Sequence, residues 1–338
     1  MTDARTAILR GKRAAARLHR DFGMRDRIRS EGSRIDVFGT IINLDVPLLF
    51  KPLEGLLGVF INDPMPGVMV TTKRSLSVQR FTGAHELGHF SLGHHPSLDD
   101  DSMLRRSPFA VAPNYGQQEL EADAFATEFL LPPWLFAEYF KRQGWTPDMM
   151  ADPAIVYQLS LRVGASYEAT CRSLVRPGVR VIDRKILTRL LHVKPRSIKT
   201  ALLDGYEPAD FRRDVWLLTE KDEGAMIEGS RSDLFVLKLA EHSGSGYTWT
   251  FEELNDTGFA VVRDERDDPD SDLVGAHVTR SITGCCEEPH EGSLSLAERR
   301  PWIKHGAPLS AFCMRYDLYG PEVEGFSQAE RRHLLEVA

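Results

Sequence analysis

The sequence predicts an α+β protein: a small mixed domain over residues 1–135, a helical extension over 136–208 and an all-β sandwich over 209–338. Three observations carry that reading. Apolar residues recur at helical spacing through the first 200 residues, interrupted at 47–72 by short alternating runs. Beyond Tyr206-Glu207-Pro208 the period changes to alternation separated by turn-rich loops. The chain of 338 residues, 42% hydrophobic and 27% charged, has room for more than one ordinary globular core.

Each element follows from its own pattern. Residues 4–22 form a helix whose apolar face runs Ala7, Ile8, Ala14, Ala15, Leu18 and Phe22, and residues 34–44 form a second. The Arg and Lys residues between Arg5 and Arg34 read as a solvated basic face. A net charge of −7 opposes bulk nucleic-acid binding. Three short strands follow within 47–72, and the alternating run Gly67 to Thr72 is read either as an edge strand able to pair with an extended peptide or as an ordinary half-buried strand. Val78, Phe81, Ala84, Leu87 and Gly88 lie on one face of a helix over 76–93, started at Ser75 or Ser77 and stopped near Gly93. A further helix over 117–131 ends at a proline pair. Helices are expected at 134–143, 154–164, 166–174, 183–191 and 195–204. Around Gly164 the segment Val156 to Ser166 has the outline of a helix-turn-helix and is read as structural. Strands are expected at 233–240, 247–251, 259–263 and 311–316, with an acidic loop at 264–272.

The chemistry lies in His85-Glu86-Leu87-Gly88-His89. On a helix, positions four apart share a face, so both imidazoles reach one metal ion while Glu86 is placed to act on water as a general base. A catalytic site needs a third protein ligand. Glu119 is the first candidate, with Asp123 four residues on to hold the outer nitrogen of a ligand histidine. Glu121, about 160° around the helix from Glu119, and His95 are the rivals. His94 and His95 otherwise read as a solvated helix end. Tyr115 or a histidine is the candidate transition-state donor. Two histidines and a carboxylate accept zinc, and also manganese.

RFTGAHELGHFSLGH (Arg80 to His94) and ELEADAFATEFLLP (Glu119 to Pro132) resemble the ImmA/IrrE family of zinc metallopeptidases. The resemblance implies a zincin-like fold, His85, His89 and Glu119 as metal ligands and Glu86 as general base. It also implies a protein substrate, a helix-turn-helix repressor whose cleavage derepresses a stress, mobile-element or defence operon. Over about residues 213–320, Gly244-Ser245-Gly246-Tyr247-Thr248-Trp249, Val274-Gly275 and Arg300-Pro301-Trp302 resemble the loops of the chagasin-type protease inhibitors, which implies an immunoglobulin-like sandwich. The first loop lacks the family's Asn-Pro and the second reads Gly-Ala-His-Val, which counts against inhibition. Tyr247, Trp249 and Trp302 are expected either to pack or to form an aromatic partner surface.

Four cysteines (Cys171, Cys285, Cys286, Cys313), no signal-like segment and no 18-residue apolar run lead to a cytoplasmic expectation without membrane contact. The competing readings are a non-cleaving regulatory or antitoxin-like protein that sequesters a partner, and a protease inhibitor acting through the sandwich.

Overall fold

Two glycines in left-handed conformation, Gly23 (φ 56°) and Gly32 (φ 62°), cut the basic N-terminal stretch into separate helices, α1 (Thr2–Asp21) and α2 (Met24–Glu31). The computed structural model describes residues 2–95, 97–100, 116–251, 258–267, 278–286, 288, 290–303 and 306–337. A short helix α3 (Val37–Ile42), capped by the Asp36 carboxylate on the Gly39 amide, leads into β1 (Leu48–Lys51), β2 (Leu56–Ile61) and β3 (Gly67–Thr71). Then come α4 (Leu76–Leu92), β4 (Ser97–Asp100) and α5 (Gln117–Leu130). Helix α4 lies against β2 and β3, α5 packs on α4, and α1 packs on α5. Phe50, Phe60, Val70, Ala84, Leu87, Phe125 and Phe129 share one buried core.

The helical extension comprises α6 (Pro133–Gln143), α7 (Pro153–Val163), α8 (Tyr167–Val175), α9 (Arg184–His192) and α10 (Pro195–Leu203). The all-β region follows as β5 (Val215–Leu218), β6 (Met226–Glu228), β7 (Leu234–Glu241), β8 (Thr248–Thr250), β9 (Phe259–Arg266), β10 (Val278–Cys286), β11 (Glu291–Arg299) and β12 (Ser310–Asp317). They form two four-stranded sheets, β5-β7-β10-β9 and β6-β12-β11-β8, closed over Trp216, Phe235, Trp249, Phe259, Ile282, Leu296, Phe312 and Tyr316. Among the described residues no helix is long and apolar enough to cross a membrane.

Several expectations change. The run Gly67 to Thr72 is not an edge: β3 pairs with β1 in parallel and with β2 antiparallel, so its ladder is filled on both sides. The boundary that gave all of 209–338 to the sandwich fails at its end. Strand β13 (Gly325–Phe326) adds antiparallel to β1, and helix α11 (Gln328–Val337) packs on α3, so the tail returns to the N-terminal sheet. The N-terminal basic residues are partly spent on internal pairing, with Arg25 and Arg29 on Glu138 and Lys12 3.5 Å from Glu128. The acidic run begins inside β9, and residues 268–272 lie outside the described residues.

The helix-turn-helix outline is used for docking. Tyr157 donates to Asp214, the Gln158 amide bridges the Val215 carbonyl and the Leu217 amide, and buried Arg162 forms a fork on Asp222. Tyr157, Gln158 and Arg162 of α7 are therefore committed to β5 and the residues that flank it.

The returning tail carries a buried carboxyl. Glu322 accepts from the Gln328 amide with both oxygens, while its backbone pairs with the Gln79 side chain. Burial pushes its pKa up to about 7, against the lowering pull of the Gln328 amide and Arg331. A carboxyl raised in the folded state contributes stability that is full below its unfolded value near 4.5 and is lost as pH rises through about 7. Glu322→Gln is therefore expected to gain stability over wild type as pH rises from 4.5 to 8, by up to about 3 kcal/mol. Urea unfolding at both pH values checks this, and a pH-independent difference contradicts it.

Candidate metal centre

Helix α4 presents its histidines from a rigid frame. It starts at Ser75 and ends at Gly93 (φ 65°), whose amide reaches the His89 and Phe90 carbonyls. Position 88 has little room: a Cβ there would lie 3.1 Å from the Phe125 ring and 3.2 Å from the Ala122 Cα, so these neighbours would have to give way slightly. That approach brings the α5 carboxylates across to the α4 imidazoles. His85 Nε2 lies 3.0 Å from His89 Nε2 and 3.3 Å from Glu119 Oε2, and His89 Nε2 lies 3.6 Å from Glu119 Oε1. Both histidines are buried, and one ligand atom from each of the three residues falls within 4.8 Å of the others.

The outer ring nitrogens are engaged as well. His85 Nδ1 is 2.9 Å from Asp123 Oδ1, and His89 Nδ1 is 3.1 Å from His94 Nδ1. With the protons on those outer nitrogens, both Nε2 atoms turn lone pairs toward each other and toward the Glu119 carboxylate. Converging acceptors repel unless a cation lies among them, so this donor set fits a metal ion with two nitrogen ligands and one carboxylate.

Glu86 is fully buried on the same turn. It is seated against Gly58 of β2, where a Cβ would fall 2.7 Å from Glu86 Oε1 and 2.5 Å from Thr82 Cγ2. The strand passes this close because residue 58 has no side chain.

Of the rivals for third ligand, Glu121 faces away from the ligand group and His95 is exposed. His94 differs from its expected place at a solvated helix end: it is 4% exposed, with Nε2 3.0 Å from Glu121 Oε2. The left-handed turn at Gly93 folds it back, and its amide donates to the His89 carbonyl at 3.0 Å. That glycine was the signal in the sequence. Burial holds the His94 imidazole below its usual pKa, outweighing the pull of Glu121. Burial would raise the Glu121 carboxyl, yet hydrogen bonds from His94 and Gln117 and the charge of Arg10 hold it below the usual range. Tyr115 lies outside the described residues.

The aromatic trio of the sandwich divides. Trp249 is 4% exposed and its indole donates to the Ala240 carbonyl, so it is core and unavailable to a partner. Tyr247 is half-buried beneath the Arg300 guanidinium, 4.6 Å from its ring centre, and Trp302 is 69% exposed. Gly246 (φ 79°) leaves room for the Trp302 ring, which a side chain at 246 would strike. Gly275 and its neighbours lie outside the described residues.

The family model of the IrrE N-terminal-like domain matches residues 44–175, and that of the chagasin family of peptidase inhibitors matches residues 230–316. Uncharacterized immunity region protein 2 of Bacillus phage phi105 is 33% identical over 84 residues, 25% of this chain and 49% of that protein. The chain thus spans about half the length of that relative. Amoebiasin-2 of Entamoeba histolytica is 30% identical over 97 residues, 28% of this chain and 78% of that protein. The crystal structure of the cysteine protease inhibitor EhICP2 from Entamoeba histolytica is 21% identical, covers 33% of this chain and 99% of its own, and has a TM-score of 0.26. The solution structure of Amebosin is 20% identical, covers 31% and 97%, and also scores 0.26.

Metal-free protein dialysed against zinc is expected to take up one ion per chain. Glu119→Gln should weaken uptake at least about tenfold, whereas His95→Ala leaves it unchanged. The reverse ranking, read by elemental analysis, would transfer the third ligand to His95.

Proposed function

We propose that this chain is a zinc-dependent endopeptidase of narrow specificity, on the premise that it carries an IrrE N-terminal-like domain over residues 44–175 and belongs through residues 230–316 to the chagasin family. The observation that carries the reading is the convergence of His85, His89 and Glu119 with the Glu86 carboxylate on the same helical turn. When bound, zinc supplies charge that polarises a peptide carbonyl and makes water acidic enough to ionise near neutral pH. His85, His89 and Glu119 hold the ion, and Asp123 fixes the His85 tautomer. Glu86 accepts the proton of the attacking water and returns it to the leaving amine. Gly58 keeps the carboxylate in its seat between strand and helix.

The substrate we assign is a helix-turn-helix repressor, cut to release a stress, mobile-element or defence operon. An IrrE-like domain together with a relative from a phage immunity region fits a peptidase family that acts on repressors. Residues 1–135 form the peptidase domain and 136–208 the extension that carries the sandwich. Manganese suits the same donors, and the enzyme works in the cytoplasm. A partner that only sequestered its target would have no need of a general base at residue 86.

Incubation with a helix-turn-helix repressor from the same genome, read by mass spectrometry, is expected to yield one discrete cut. Glu86→Gln should lower the rate by about 10²–10⁴-fold with zinc retained. Gly58→Ala, by displacing the Glu86 carboxylate, should cost about 10²-fold with little loss of zinc. Cleavage by Glu86→Gln at the wild-type rate would refute the assignment.

A further inference from the structure

We propose that helix α1 is a working part of the metal centre, because Arg10, Glu121 and His94 form a relay that positions His89 as Asp123 positions His85. The inference rests on the metal-binding reading above. The two ligand histidines are held differently. His85 meets a carboxylate directly, through Nδ1 at 2.9 Å from Asp123. His89 meets one through an intervening imidazole: His89 Nδ1 to His94 Nδ1 at 3.1 Å, then His94 Nε2 to Glu121 Oε2 at 3.0 Å.

Hydrogen-bond bookkeeping sets the direction of the relay. A carboxylate only accepts, so His94 donates to Glu121 from Nε2 and its Nδ1 is left to accept. His89 then donates from Nδ1 and turns its bare Nε2 toward His85 and Glu119, the tautomer a metal ligand requires. Flipping His94 would set two ring protons against each other or leave Glu121 without its donor.

The far end of the relay belongs to α1. Arg10 Nη1 lies 3.1 Å from Glu121 Oε2 and 3.3 Å from Oε1, its Nη2 reaches the Leu92 carbonyl, and Gln117 donates to Glu121 Oε1 at 3.0 Å. The next residue, Gly11, presses on α5 at the same point: a Cβ there would collide with the Glu121 carbonyl and sit 2.9 Å from the Phe125 amide. Helix α1 is thus seated on the backbone of Glu121 and paired with its side chain. Neither Arg10 nor Gly11 lies within residues 44–175, so this support stands outside the matched peptidase segment.

The test uses the full chain stripped of metal, with zinc affinity measured by chelator competition and the His89 tautomer read from imidazole ¹⁵N shifts. His94→Leu is expected to bind zinc about 10–100-fold more weakly and to lose the single Nδ1–H form of His89. His94→Gln, whose amide oxygen accepts and whose amide nitrogen donates, should return the affinity to within about fivefold of wild type. Arg10→Gln, a change at a half-exposed side chain, should weaken binding about two- to fivefold and keep the fold should His94→Leu not fold. Wild-type protein that fails to bind zinc would refute the metal centre itself. Wild-type binding with unchanged affinity and tautomer in His94→Leu, or in Arg10→Gln where His94→Leu does not fold, would overturn the relay.

Discussion

The close contact of α4 with α5 at Gly88 is the constraint on which the rest depends. Without a side chain at 88 the helices approach until Phe125 and Ala122 lie close against the α4 backbone, and at that separation Glu119 reaches both histidines and Asp123 reaches His85. Burial of Leu87, Phe125 and Phe129 stabilises the contact by about 1.5–3 kcal/mol per large side chain. That apolar gain supports a polar interior holding His85, Glu86, His89, His94, Glu121 and Asp123. Such groups persist inside a protein when they bind one another or an ion, and the hydrogen bonds described join His85 to Asp123 and His89 through His94 to Glu121.

The same helix is the point where the other parts of the chain are fastened. Gln79, fully buried near its start, treats Glu322 as a strand partner: its amide nitrogen donates to the Glu322 carbonyl at 3.0 Å and its oxygen accepts from the Glu322 amide at 2.8 Å. Arg80 donates to the carbonyls of Gly164, in the turn after α7, and Ile35. Arg34 adds an ion pair with Glu228 at the edge of the sandwich. The sandwich is therefore built into the IrrE-like region, tied through α7 on one side and through the returning tail on the other.

The convergence of His85, His89 and Glu119 was legible because its signals are local: a two-histidine spacing on one helical turn and two carboxylates four apart on another. The support behind His89 was not, because His94, Glu121 and Arg10 come from three elements that only the packed fold brings together. Strands β10 and β11 escaped notice for a different reason. Their buried anchors, such as Ile282, Cys286, Leu294 and Leu296, are diluted by Ser, Thr, Gly and Arg, so the alternation is weak. The return of the tail to β1 was illegible because the two-residue strand β13 leaves no periodic pattern. For Trp249 the sequence left packing and an aromatic surface both open, and its register opposite Glu298 turns it into the sandwich core.

Anomalous diffraction at the zinc edge, on crystals of the full chain grown with the metal, tests the central claim most directly. The account predicts one strong peak bounded by His85 Nε2, His89 Nε2 and a Glu119 oxygen, at about 2.0–2.2 Å from each. A peak held by other side chains, or none at saturating zinc, would contradict it.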